Sequence, residues 1–153
     1  MSNATAEKMK SPVVLLVDDD MEDQALTRRA FQKSAIRADL QIVSDGQQAM
    51  HYLLREGEYA DPARAPRPDL VLLDLNMPNV DGHGVLKRMR SDFDLKGIPV
   101  VVLTTSNQPD DVQRCYDLGC NSFITKPSNI AEFVRVVEKL ESYWFELVTL
   151  PNR

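Results

Sequence analysis

The 153-residue chain carries 23 acidic against 18 basic side chains, a net charge of -5, which argues against a surface built to neutralise phosphates and so against direct nucleic-acid binding. A length in this range fits one domain with a substantial core and leaves no room for a second effector domain. Cys115 and Cys120 have neither CxxC spacing nor a histidine cluster beside them, so they are expected as buried small residues and not as a zinc site or disulfide framework. No run is long and apolar enough to cross a membrane and no signal-peptide pattern opens the chain, so a cytoplasmic protein without a membrane partner is expected.

Residues 1–11 are small and polar and are expected to be disordered, ahead of a folded domain over residues 12–146 and a tail over residues 147–153. Val13–Val17 is a β-branched apolar run between Pro12 and Asp18 and predicts the first strand. Leu26, Thr27, Ala30 and Phe31 then recur at helical spacing behind acidic Asp20, Glu22 and Asp23, which suit the positive end of a helix dipole. Leu40–Val43 predicts a second strand, and Asp45 caps a helix with Ala49, Met50, Leu53 and Leu54 on its buried face. Between Arg55 and Pro68, Gly57, Pro62, Pro66 and Pro68 interrupt both periods, which predicts a plain exposed connection.

Leu70–Leu73 is apolar without alternation and stops at Asp74, followed by the turn residues Asn76, Met77, Pro78 and Asn79. Such a run predicts a strand covered on both faces, the habit of parallel sheets. Val85, Leu86 and Met89 mark a third helix, and Pro99–Thr104 a fourth strand. Pro109, Asp110, Asp111 and the stop at Gly119 bound a fourth helix with Val112, Cys115 and Tyr116 facing inward. Ser122–Thr125 predicts a fifth strand ending at Lys126 and Pro127. Asn129 with Glu132 offers a capping box for a last helix carrying Ile130, Phe133, Val134, Val137, Leu140 and Trp144. His51 and His83 have no metal-ligand partners at useful spacing and are expected on the surface.

Five strands alternating with five helices predict a doubly wound α/β domain around a five-stranded parallel sheet. Asp18, Asp19, Asp74, Thr104 and Lys126 then close the C-terminal ends of four strands, the edge at which such sheets bind ligands, and are expected to share one crevice. Crowded carboxylates call for a raised pKa or a bound cation. Magnesium takes one or two carboxylates plus phosphate oxygens, which suits Asp19 and Asp74 with Asp18 bound directly or through water. A phosphoryl group beside a carboxylate nucleophile needs further neutralisation, for which Lys126 supplies an ammonium and Thr104 a hydroxyl.

The Asp18–Asp19 pair, LLDLNMPNVDG around Asp74, LTTS at Leu103–Ser106 and ITKP at Ile124–Pro127 together resemble, in order and spacing, the receiver domains of two-component response regulators. The resemblance runs from about Pro12 to Glu141 and implies a flavodoxin-like receiver fold. It implies that Asp74 accepts a phosphoryl group from a sensor histidine kinase, that Asp19 is the principal Mg2+ ligand with Asp18 assisting, and that the Asn76 carbonyl completes the set. Lys126 would contact the phosphoryl group, Thr104 would move toward it, and Phe123 would be the aromatic that changes rotamer, here without a hydroxyl. A signalling phosphoprotein that assists its own phosphorylation and dephosphorylation is implied, and not a turnover enzyme.

The Arg55–Pro68 loop, the DLKGIPVVVLTTS and YDLGCNSFITKP stretches and the Trp144 tail look like the small single-domain regulators that partner phytochrome-type histidine kinases. That likeness implies a homodimer through the last helix and its extension. There Tyr143, Trp144, Phe145, Leu147 and Val148 either fold back on the domain or meet a partner. Output would pass through a protein contact at helix four, strand five and helix five.

Three rivals differ in their chemistry. A haloacid-dehalogenase-type phosphatase needs an acid/base Asp two residues after its nucleophile, where Asn76 stands. A flavin binder of the same topology wants a Gly- and hydroxyl-rich phosphate loop, which Asp18, Asp19 and Asp20 would repel. A docking module of the same fold would work without phosphorylation.

Overall fold

Val13–Val17 is buried along its whole length in the computed structural model, which describes residues 11–151. This strand, β1, pairs in parallel with β2 (Asp39–Val43) on one side and β3 (Leu70–Leu73) on the other. β4 (Val100–Thr104) and β5 (Ser122–Thr125) continue the sheet in the order β2-β1-β3-β4-β5, every pair parallel. The three inner strands are wholly buried, which is why their apolar runs show no alternation. β2 and β5 close the sheet and are only partly covered.

Helices α1 (Met21–Lys33), α2 (Gly46–Leu54), α3 (Gly82–Ser91), α4 (Pro109–Leu118) and α5 (Ile130–Ser142) follow the strands in turn. Successive side chains of a strand point to opposite faces, so the core divides. Leu15, Val17, Val71, Leu73, Val100 and Val102 pack with α2, α3 and Cys115 of α4. Val14, Leu16, Leu70, Leu72, Val101 and Leu103 pack with Ala30 and Phe31 of α1 and Phe133, Val137 and Leu140 of α5. The sheet is therefore doubly wound, as the alternating pattern requires.

Capping fixes where the helices start. Asp20 accepts hydrogen bonds from the Glu22 and Asp23 amides, Asp45 from Gln48, Asp81 from Gly84 and Asn129 from Glu132. Each satisfies a donor that the first helical turn leaves without a partner. Gly82 has a separate reason. A Cβ there would stand 2.7 Å from Leu75 Cα and press on the Asp74 carbonyl oxygen, so only glycine lets α3 begin directly against the end of β3.

Several local expectations are corrected. The Arg55–Pro68 segment is largely exposed as expected, but it is not featureless: it contains a 3-10 turn at Gly57–Tyr59, Ala65 is buried, and the Tyr52 hydroxyl donates to the Pro66 carbonyl at 2.7 Å. Tyr59 and Tyr52 pack with ring centroids 5.3 Å apart, a contact between the helix and the following loop that no period signals. Tyr116 is half exposed and Leu118 packs on the core instead, because the Cys115 side of the short α4 is the only part that reaches the sheet. Ile130 opens α5 in solvent, one turn before the helix meets the core at Phe133.

The end of α5 passes into a π-turn at Tyr143–Leu147. Trp144 is buried there, and Phe145, Val148 and Leu150 lie on the α1/α5 face, so the apolar tail folds back, while Tyr143 and Leu147 remain exposed. Cys115 and Cys120 are buried free thiols. The expected disorder of residues 1–11 lies, apart from Ser11, outside the described residues, as do residues 152 and 153 of the tail.

Candidate functional site

The register of the sheet assembles the site. β1 and β3 pair Val17 with Leu73, so Asp18 and Asp74 leave adjacent strands side by side, and the Asp74 amide donates to the Val17 carbonyl at 2.9 Å. β4 and β5 pair Thr104 with Thr125, and the next residue, Lys126, donates its amide to the Thr104 carbonyl. The Lys126 side chain then reaches across the strand ends. Its Nζ lies 2.7 Å from Asp18 Oδ2, 2.8 Å from Asp23 Oδ2 and 3.3 Å from Asp74 Oδ2.

Asp18, Asp74 and Lys126 are all buried, and Asp19 stands exposed at the rim. Carboxylate oxygens of Asp18, Asp19 and Asp74 lie within 4.8 Å of one another. An all-oxygen cluster of this size suits a hard divalent cation. The charge balance also fits one. A single ammonium is divided among three carboxylates, and Asp19 adds a fourth negative charge at the same edge.

That shortage shows in the titration of the groups. Burial pushes the Asp18 carboxyl up to about 6, against the opposing pull of the Lys126 hydrogen bond and the Asp20 amide, with Asp74 adding repulsion. Burial alone would lower the Lys126 pKa, but its hydrogen bonds to Asp18 and Asp23 and the charge of Asp74 hold it above the ordinary lysine value. Lys126 is therefore firmly cationic, while at Asp18 the cost of burial outweighs the pull of Lys126.

The remaining expected residues lie around these groups at different depths. The Asn76 amide points at Asp74 Oδ1 from 3.4 Å, and the Asn76 side chain is exposed. Thr104 is fully buried, with its Oγ1 accepting from the Ser106 amide at 3.5 Å. The pairing of Leu73 with Val102 sets Thr104 one residue beyond the level of Asp74. Phe123 is half-buried against the α2–α4 side of the core, and its amide donates to the Tyr116 hydroxyl oxygen at 3.2 Å.

Two residues here were not expected. Asp23 appears in the sequence as one of several first-turn acids suited to the helix dipole, yet its side chain turns into the crevice and binds Lys126. No local signal sets it apart from the other first-turn acids. His83, expected on the surface, is buried on α3, and its Nε2 has no hydrogen-bond partner. It lines a pocket of about 530 Å³ that opens beside Asp19, with Asn76, Asp81, Asp111 and Arg114 on its walls. His51 is exposed as expected. Another hollow, of about 310 Å³, lies among Tyr52, Arg55 and Asp94 at the opposite end of the sheet, away from these carboxylates.

The model of the response regulator receiver domain matches residues 14–138. The chain belongs to the response regulator receiver family. The receiver is 45% identical over 139 residues to response regulator Rcp1 of Synechocystis, covering 91% of this chain and 92% of that protein. Its structure resembles that of the phosphorylated cyanobacterial phytochrome response regulator RcpA, with a TM-score of 0.89 and 43% identity over 94% of this chain and all of that one. The Mn(2+)-bound form of Rcp1 superposes with a TM-score of 0.86 at 45% identity, covering 92% and 99% of the two chains. The five-stranded doubly wound fold of the receiver is thus shared with its relatives, and the protein is a two-component signalling protein. Divalent-metal binding is a property of such domains, and the acidic cluster for it is present here. No helix among the described residues is long and apolar enough to cross a membrane.

Proposed function

We propose that the receiver accepts a phosphoryl group on Asp74 from a phosphohistidine of a partner sensor kinase, in a Mg2+-dependent reaction, and signals through a protein contact. The observation that carries this reading is Lys126 Nζ held between Asp18, Asp23 and Asp74, with Asp19 adjoining. It is a carboxylate nucleophile beside a fixed cation in a crevice short of positive charge. Asp19, with Asp18, Asp74 and the Asn76 carbonyl, would hold the magnesium, which when bound neutralises the phosphoryl oxygens and lets the phosphodonor approach.

In the transfer, an Asp74 carboxylate oxygen forms a bond to phosphorus as the phosphorus–nitrogen bond of the donor breaks. The imidazole leaves with the bonding pair and takes a proton from water. Lys126 stands 3.3 Å from the Asp74 oxygen and is placed to follow the negative charge onto the phosphoryl group. Thr104, at the end of the adjacent strand, supplies a hydroxyl donor after a short movement toward Asp74. This chain contributes alignment and electrostatic stabilisation, the main requirements of a loose phosphoryl-transfer transition state. The same arrangement lets it assist the later hydrolysis of its own acyl phosphate.

The relatives' names, Rcp1 and the phytochrome regulator RcpA, support a phytochrome-type kinase as the donor. Exposed Tyr143 and Leu147 beside the buried Trp144 support a homodimer through α5 and the tail. The net charge of -5 supports a protein and not nucleic acid as the target, and a cytoplasmic site of action follows from such a kinase partner. Incubation with a histidine-phosphorylated kinase tests the reading. Loss of label from the kinase and its appearance on this chain, blocked by a metal chelator, is expected. Stable docking without transfer would favour the phosphorylation-independent module.

A further inference from the structure

Asp111, in the first turn of α4, is hydrogen-bonded on one side and faces a buried imidazole on the other. Its Oδ2 accepts a hydrogen bond from the Ser106 hydroxyl at 2.5 Å, and its Oδ1 faces His83 Nε2 of α3 at 4.0 Å. Ser106 belongs to the loop that leaves β4 after Thr104. Its amide points at Thr104 Oγ1, and its carbonyl accepts from the Thr125 hydroxyl at 3.2 Å. The His83 ring is buried, and its Nε2 has no hydrogen-bond partner. A buried polar nitrogen left in this way is costly, and here it lines the pocket that opens beside Asp19. Among the described residues, the carboxylate oxygen within ion-pair reach of it is Asp111 Oδ1.

Resting on the function proposed above, we infer that Asp111 and His83 are positioning residues for phosphoryl chemistry at Asp74: His83 braces Asp111, and Asp111 holds the Ser106 loop that walls the crevice. The physical basis is the order of the contacts. Thr104 and Lys126 close neighbouring strands, and Ser106 ties the loop between Thr104 and α4 to both strand ends, beside a pocket that reaches the crevice at Asp19 and Asn76. Its seating depends on the Ser106–Asp111 hydrogen bond, one of whose partners sits on a helix and is backed by a side chain from the next helix. A one-ångström approach of α4 to α3 would turn the 4.0 Å contact into a hydrogen bond, so the brace tightens or slackens with small shifts of α4.

Loss of the phosphoryl group is hydrolysis. Water attacks phosphorus, the bond from phosphorus to the Asp74 oxygen breaks, the carboxylate leaves with the bonding pair, and inorganic phosphate carries off the new oxygen. A loop released from Asp111 leaves that phosphorus more open to water from the pocket side. Removing one hydrogen bond of this kind is expected to shorten the phosphorylated lifetime about fivefold.

The test uses the full chain loaded with a small phosphodonor and magnesium, then freed of donor, with the decay of the phosphorylated form followed by intact mass. His83→Gln, Asp111→Ala and Ser106→Ala are compared with the wild type, along with the His83→Gln/Asp111→Ala double variant, and thermal midpoints are recorded beside the lifetimes. We expect Asp111→Ala and Ser106→Ala to decay about fivefold faster, His83→Gln to decay faster by a smaller factor, and the double variant to decay no faster than Asp111→Ala alone, because the three residues act in series. A double variant whose effect is the product of the two singles overturns the inference. So do lowered thermal midpoints with unchanged lifetimes, which would mark His83 and Asp111 as packing residues only. A wild-type chain that takes up no phosphoryl group overturns the function itself, whereas uptake by all variants with equal lifetimes overturns only the positioning role.

Discussion

Lys126 and Asp18, 108 residues apart in the chain, meet at 2.7 Å with both side chains almost fully buried. Their pairing draws the ends of β1 and β5 across the two strands between them. It also leaves Asp23 and Asp74 sharing the same ammonium. Removing the cation should therefore cost more than one ion pair. In chelator, Lys126→Met is expected to lower unfolding stability by about 3 kcal/mol, measured by urea denaturation. Saturating Mg2+ should recover part of that loss, since it supplies the missing positive charge. A loss unchanged by Mg2+ would mean that the carboxylates do not hold the ion.

Glu141 on α5 is buried, and neither carboxyl oxygen has a hydrogen-bond partner in good geometry. Burial pushes its carboxyl up to about 7 from the ordinary 4.5, with Ser34 at the end of α1 opposing the rise and Glu138 adding to it. Below 4.5 the group is protonated folded and unfolded and contributes nothing. As pH rises from there to about 7, the folded state binds more protons than the unfolded one, so stability falls and stays lower above that range. The full cost is about 3 kcal/mol. Glu141→Gln should match the wild type at low pH and exceed it above about pH 8, read as a flatter pH profile of the denaturation midpoint.

Gly82→Ala tests how tightly α3 is set against the acceptor strand. A methyl group there meets the Asp74 carbonyl and Leu75 Cα. The expected loss is about 2–3 kcal/mol, with phosphoryl uptake slowed as well, because the strand end that carries Asp74 must shift. Gly97→Ala, where a Cβ meets nothing within 4 Å, serves as the comparison and should leave uptake unchanged.

The inner strands were legible in the sequence because burial on both faces leaves an apolar run that only a parallel sheet explains. Asp18 and Asp74 were legible because each directly follows such a run, and Lys126 because it follows the short fifth strand just before Pro127. Asp23 and His83 were not. A first-turn acid has a sufficient local explanation in the helix dipole, and a histidine on a helix gives no sign of which neighbour will cover it. Ala65 and Tyr59 were hidden for a similar reason, since their burial comes from contact with α2 and not from any period of their own. The backward fold of the tail onto α1 and α5 rests on Trp144, whose apolar character fitted a partner surface equally well.

Phosphorylation at Asp74 is the central claim, and intact mass after incubation with a small phosphodonor and Mg2+ tests it most directly. The wild-type chain should gain one phosphoryl group, and both Asp74→Asn and a chelated wild-type sample should gain none. An adduct of the same size on Asp74→Asn would place the acceptor elsewhere and contradict the account.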